Sequence, residues 1–420
     1  MQRHRRVFAS VAVATALSLT AACGGTEEPT TTAEDGGTIE ITHWDLLAPS
    51  YGAKMWETFQ GYQRENPKAT LTKQEITRAD YETTIKTQIA GGGGPDVFAV
   101  ADTFLPELAE AGVLEPLDGV FGPDAKLNVT NEGGRWRGTQ LAVTAQIAPY
   151  AFLWNKDILA RAGVQPPTTP GELVTAAKTI TEKTGITGFA VRHRIAEENP
   201  WWIDFNNWPQ GFGGGWSDGT ALTIDRPENV AAVKAYKAVY DSGAFAVGDD
   251  ASTFRTKFKE GRLAMLIDAT GAPTAMISDK VPSTSIMSSK LPFPGQNTSQ
   301  VGIYFAVNKN AKNKALAKDF LRWLVQPGPQ QQLSEVIGNA STVAVDTTVP
   351  AEFVAANPWV TAYRENAPFS RDAVVDGFET KTPQIRHIVL QWIEKVLLEN
   401  VPPEEALAKA AQEAKAAVGG

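Results

Sequence analysis

The chain has 420 residues, 47 acidic against 39 basic, a formal net charge of −8 and a single cysteine. No internal disulfide can form, and the acid excess argues against nucleic acid, whose binding needs clustered lysine and arginine. Roughly 380 residues beyond the leader exceed what one hydrophobic core usually serves, so two lobes are expected.

Met1-Gln2-Arg3-His4-Arg5-Arg6 opens a basic leader, and the apolar run from Val7 to Leu19 is too short to stay in a bilayer as a spanning helix. Residues 1–22 are therefore expected to be a secretory signal. Thr20-Ala21-Ala22-Cys23 resembles the bacterial lipobox, in which the cysteine sulfur takes a diacylglyceryl group. The usual leucine three places before the cysteine is missing: Thr20 stands there, and Leu19 lies one residue too early. The alternative is an ordinary cleaved signal with an incidental Cys23, although a free thiol is unusual in an exported chain. With two or three acyl chains the mature protein would be anchored to the outer face of the cell membrane without spanning it. After Cys23 the stretch to Gly37 has one alanine and no larger apolar side chain, so residues 23–37 form a flexible tether.

Ile39 and Ile41 alternate with polar neighbours in a first strand ending at His43-Trp44-Asp45. Helix signals run from about Tyr51 to Glu65, and a second strand lies near Leu71 to Ile76. Thr77-Arg78-Ala79-Asp80 gives a capping box before Tyr81, Ile85 and Ile89 on one helical face. Gly91-Gly92-Gly93-Gly94-Pro95 stops that helix, and Asp96 to Ala101 lacks alternation, which suits a central parallel strand ending at Asp102. This order is that of a parallel α/β lobe. A second set of units starts near Ala148. Thr169, Pro170 and Glu172 open a helix closed by Gly185; strands are expected at Gly188 to Val191, Leu263 to Ile267 and Val301 to Val307. The carboxy-terminal third is mostly helical.

Gly94-Pro95-Asp96-Val97, Leu153-Trp154-Asn155-Lys156-Asp157, Phe258-Lys259-Glu260-Gly261-Arg262-Leu263-Ala264-Met265 and the run Ala311 to Leu321 resemble, in order, landmarks of the extracellular sugar-binding proteins of ABC importers. The resemblance covers about residues 39 to 333. The family pattern usually carries Tyr-Asn-Lys-Asp where this chain has Trp154-Asn155-Lys156-Asp157, and an aromatic after glycine where it has Ala272. The resemblance implies a periplasmic-binding-protein-like fold of type II, like that of maltose-binding protein: two α/β lobes, a hinge and an interlobe ligand cleft. Lobe one would comprise 38–147 plus 298–343, and lobe two 148–297 plus 344–420. It also implies a sugar ligand, an ABC permease as membrane partner, no cofactor and a monomer.

In open α/β sheets ligands sit beyond the carboxyl ends of strands, where Trp44, Asp45 and Asp102 fall. The segment Asn199 to Ser217 carries Trp201, Trp202, Trp208 and Trp216 and is expected to be a loop. Aromatic plates flanked by carboxylates suit a sugar ring, with its apolar faces and rim of hydroxyls. The alternative is a satellite core under the loop. Asp268 and Tyr304 stand at or beside strand ends, while Gln146, His193 and Arg371 are further candidates. Each has a bland reading: a helix cap, a turn, core packing or a salt bridge.

Gly215-Trp216-Ser217-Asp218-Gly219 matches the nucleophile-elbow pattern, but glycines precede it and Thr220 to Ile224 suggests a strand where a helix is required. The Gly91 to Gly94 run lacks the Lys-Ser/Thr of a phosphate loop, and the four histidines are scattered. No metal site is expected, with a carboxylate-built calcium site left open. The residues favour a non-catalytic receptor for a mono- or oligosaccharide. The alternatives are the same fold binding a sugar phosphate or glycerol-phosphate ester, and a secreted glycosidase using two carboxylates.

Overall fold

The computed structural model describes residues 36–48, 51–78 and 80–419. The expected signal, Cys23 and all but the last residues of the tether lie outside them, as does Ala79 of the expected capping box.

Strand β1 (Gly37–Thr42) pairs in parallel with β2 (Ala69–Gln74), Ile39 opposite Leu71, and on its other side with β3 (Val97–Ala101). The helix Gly52–Glu65 joins β1 to β2 and buries Met55, Phe59 and Tyr62; the helix Tyr81–Ala90 leads to β3 and buries Tyr81, Ile85 and Ile89. Those spacings are single helical stripes turned to the sheet. All five residues of β3 are buried, as the unalternating apolar run requires.

A short hairpin, β4 (Arg135–Trp136) with β5 (Thr139–Gln140), precedes the long strand β6 (Ala142–Asn155). Lobe two adds β7 (Thr187–Ala190), β8 (Leu263–Ala269) and β9 (Ile286–Ser289), and β10 (Thr298–Val307) returns to lobe one. The main strand path is β2-β1-β3-β10-β6-β8-β7. Strand β6 joins the lobes: Ala142 to Pro149 pair antiparallel with β10, while Tyr150 to Trp154 pair with β8. Beyond that changeover Phe152 and Trp154 enter one apolar core and Ala151 and Leu153 another, as strand alternation dictates. Lobe one has its own core around Ile41, Phe59, Phe98, Phe305 and Phe320.

The segment expected as a tryptophan loop is instead the helix Glu198–Gly211. Trp201, Phe205 and Trp208 recur at helical spacing, and the stripe they make fills the lobe-two core. Thr220 to Ile224 is not a strand; a single bridge joins Ser217 to Leu222. The terminal helices Thr382–Glu399 and Pro403–Val418 bury Ile385, Val389, Ile393, Ala406, Leu407 and Ala410, with Asn400 left-handed at φ 60° between them.

Candidate functional site: the cleft between the lobes

A cavity of about 310 Å³ opens where the carboxyl end of β3 meets the segment following the short strand β11 (Ser370–Arg371). Lobe one contributes Asp102, Glu132 and Trp136; lobe two contributes Asp372, Asp376 and Glu379. An adjoining cavity of about 240 Å³ shares Glu132, Gly133 and Asp372 and adds Gln300, Tyr304 and Arg371. Because β11 pairs with β10, Thr298 opposite Ser370, the lobe-two wall is pinned to the strand that carries Tyr304.

Asp102 is 5% exposed, and its carboxylate accepts the backbone N–H groups of Thr103 (2.8 Å) and Gly302 (2.7 Å). Burial, and then the nearby Asp372 carboxylate, push it up to about 8, against those two N–H groups. Asp372 accepts the Val374 N–H at 3.1 Å; burial, with Asp376 and Glu379 beside it, raises it to about 6. Tyr304 is 1% exposed, and desolvation, then Asp102 and Asp372, hold its phenol protonated. Gly133 is required beside it: a Cβ there would lie 2.0 Å from the Tyr304 Oη. Trp136 is half-buried against the lobe-one core while also lining the cavity, so it presents a fixed apolar edge. The arrangement offers hydrogen-bond acceptors and a flat aromatic surface to a hydroxyl-rich guest.

The family model of bacterial extracellular solute-binding proteins matches residues 48–331, well over half of the chain. The chain belongs to that family. Its members are transport proteins that work outside the cytoplasm. This solute-binding protein is 24% identical over 400 residues to a binding protein of Brucella abortus, covering 91% of this chain and 93% of that protein. Its fold is similar to that of the GacH receptor of Streptomyces glaucescens, solved unliganded and with acarbose: TM-score 0.79, 23% identity, 91% of this chain and 98% of that one. The cyclic α-maltosyl-1,6-maltose binding protein of Arthrobacter globiformis is similar to the same degree, with TM-score 0.79, 20% identity, and 91% and 98% coverage. The two-lobe, maltose-binding-protein-like fold is thereby shown.

The candidate residues of this solute-binding protein fall in several places. Asp102, Tyr304 and Arg371 meet at the cavities already described. Trp44 and Asp45 flank a shallow hollow with Arg78, whose guanidinium lies 3.9 Å from the Trp44 ring centroid. Trp44 is only 8% exposed and packs edge-on against Tyr81 at 4.9 Å. The buried His43 imidazole accepts the Asp45 N–H at 3.0 Å, and desolvation lowers it to about 4, so it stays neutral. Gln146 donates to Ser341 (2.8 Å), which also meets Thr270 (2.7 Å), a polar link between the lobes beside β6.

Trp201, Trp202 and Trp208 are fully buried in lobe two, and Trp216 stacks on Trp202 at 5.1 Å. Their role is support: the Trp202 Nε1 donates to the Ala373 carbonyl at 2.6 Å, steadying the segment that carries Asp372. Asp268 is buried and gripped by Arg255 through two bonds of 2.7 Å. His193 bridges the Val191 carbonyl (2.9 Å) and the Gly248 N–H (2.8 Å), an internal brace.

Sequence reasoning missed Trp136, Asp372, Asp376 and Glu379. The one signal for Trp136 was an aromatic among the glycines of Gly133-Gly134-Arg135-Trp136-Arg137-Gly138. The lobe-two acids carry no local pattern; only the pairing of β11 with β10 brings them to Asp102.

Proposed function

We propose that this chain captures an oligosaccharide between its lobes and delivers it to an ABC permease. The observation that carries this reading is the cavity in which Asp102 and Trp136 of lobe one face Asp372 and Glu379 of lobe two. Carboxylates accept sugar hydroxyls in charge-assisted bonds of about 1.5–3 kcal/mol each, and an indole covers the ring's C–H face. The maltosyl and acarbose ligands of the two structural neighbours support this ligand class. A sugar phosphate is disfavoured, since its dianion would enter beside five carboxylates against two arginines, Arg135 and Arg137.

Titration calorimetry of the mature chain with maltotriose, maltotetraose, acarbose and xylotriose is the direct test. Micromolar binding of at least one, about 8 kcal/mol, is expected. Binding of none of these, with tight binding of a non-saccharide solute, would overturn the sugar reading.

We further propose cleavage after Ala22 and lipidation of Cys23, with residues 24–37 as tether. Incorporation of labelled palmitate that is abolished by Cys23→Ser is the expected result; a water-soluble chain without label would contradict the anchor.

A further inference from the structure

Two fully buried acids elsewhere in this molecule are neutralised by arginine: Asp204 meets Arg192 at 2.7 Å, and Asp268 meets Arg255 at 2.7 Å. A third buried acid, Asp96, accepts backbone N–H groups of Glu40 and Lys312 instead. In the interlobe cavity several acids without an arginine partner come together. Among the described residues, the carboxylates of Asp102, Asp372, Asp376 and Glu379 form no ion pair, although they line one space. Asp102 and Asp372 accept only backbone N–H groups, and Glu379 accepts the Gly377 N–H at 2.8 Å.

The neighbouring cations bond to other partners, although Arg135 and Arg137 line the cavity and Arg371 opposes the Asp372 charge. Arg135 pairs with Glu132 at 3.4 Å, Arg137 with Glu110 at 2.9 Å, and Arg371 donates to the Ser370 carbonyl at 2.8 Å. Arg78 lies over the Trp44 ring and opposes the Asp102 charge only weakly. Asp102 is buried, Asp372 and Glu379 are half-buried and Asp376 is exposed, so the main cost is that of ionising Asp102 beside Asp372. Among the described residues no group of three or more acidic, histidine or cysteine side chains is arranged to hold a metal ion.

A second observation points to the same space. The Tyr304 side chain is 1% exposed, and its hydroxyl, bonded to no described residue, opens to the cavity shared with Asp372. A hydroxyl so placed is free to bond to a guest in that cavity.

Resting on the sugar-capturing reading, we propose that the preferred guest is a saccharide carrying a protonated amino group, seated between Asp102 and Asp372 with a neighbouring hydroxyl on Tyr304. Raised to about 8, Asp102 keeps its proton at neutral pH in the unliganded cleft, and a neutral sugar leaves that state unchanged. An ammonium donates to both acids and favours the ionised form of each. Burial first, and then neighbouring carboxylates, raise the proton affinities of Asp102 and Asp372, and a bound cation would lower them again.

The test is titration of the full mature chain at neutral pH with two matched pairs. One is the β-1,4 trimer of glucosamine against its N-acetylated form; the other is maltotriose against maltotriose with a 6-amino-6-deoxy terminal unit. In at least one pair the amine should bind about tenfold more tightly. That preference should shrink in about 0.5 M salt, and fall below about twofold in Asp372→Asn and in Glu379→Gln, each checked by its melting curve. Neutral members binding as tightly as their amines would overturn the amine while leaving the sugar receptor intact. Failure of both members of both pairs would overturn the amine, and with a blank neutral panel the sugar reading too.

Discussion

At the scale of single residues, the cavity separates side chains that touch a guest from those that hold the site in shape. Trp136 belongs to the first kind: it is half-buried and edges the cavity, so Trp136→Ala should weaken saccharide binding by more than about 1 kcal/mol with little change in melting temperature. Trp202 and Trp208 belong to the second. They are fully buried, and Trp208→Ala should cost about 3–5 kcal/mol of stability by denaturant unfolding, with affinity falling only as folded protein is lost. An unchanged unfolding midpoint in Trp208→Ala would contradict the core assignment. The position of Asp102 followed from a strand end that is visible in the sequence, whereas Tyr304 lies inside β10, opposite Val100 and Thr144. Asp372 and Glu379 were not legible in that way, because the lobe-two wall forms by a pairing across some 70 residues, Thr298 to Ser370, that no local periodicity encodes.

At the scale of elements, the parallel part of lobe one, β2-β1-β3, was legible because each strand is an apolar run closed by a turn and each helix buries one stripe, as with Met55, Phe59 and Tyr62; the antiparallel β10 that completes the sheet comes from far along the chain. The helix Glu198–Gly211 was hidden for a physical reason. Its flanking glycines, three asparagines and internal Pro209 mimic a loop, whereas the i, i+4, i+7 set Trp201, Phe205 and Trp208 is what the core selects. Local composition lost to tertiary packing. The changeover in β6 makes a second prediction. The Gln146–Ser341–Thr270 chain bridges the lobes beside that strand, so Ser341→Ala should leave both cores folded but alter closure, read as a changed affinity at an unchanged binding stoichiometry. Gly133→Ala should block the site, since its Cβ would collide with the Tyr304 hydroxyl; Tyr304→Phe in the same chain should relieve part of that collision.

At the scale of the whole molecule, acids from both lobes meet in one cavity, and stability is therefore tied to pH. Asp102 rises from 3.8 to about 8 and Asp372 from 3.8 to about 6. The folded cleft thus holds protons that the unfolded chain has released, and the unliganded protein should lose stability as pH climbs from about 4 toward 8. Asp372→Asn should flatten that decline, with its gain over the parent chain small near pH 4 and full above about pH 6, as melting curves across pH would show. Closure on a guest that touches both lobes would then signal occupancy to a permease. The most direct measurement is a crystal structure with the tightest-binding saccharide. The account predicts the sugar between the lobes, within hydrogen-bond distance of Asp102 and Asp372 and against Trp136; a sugar seated anywhere outside that cavity, with those carboxylates untouched, would contradict it.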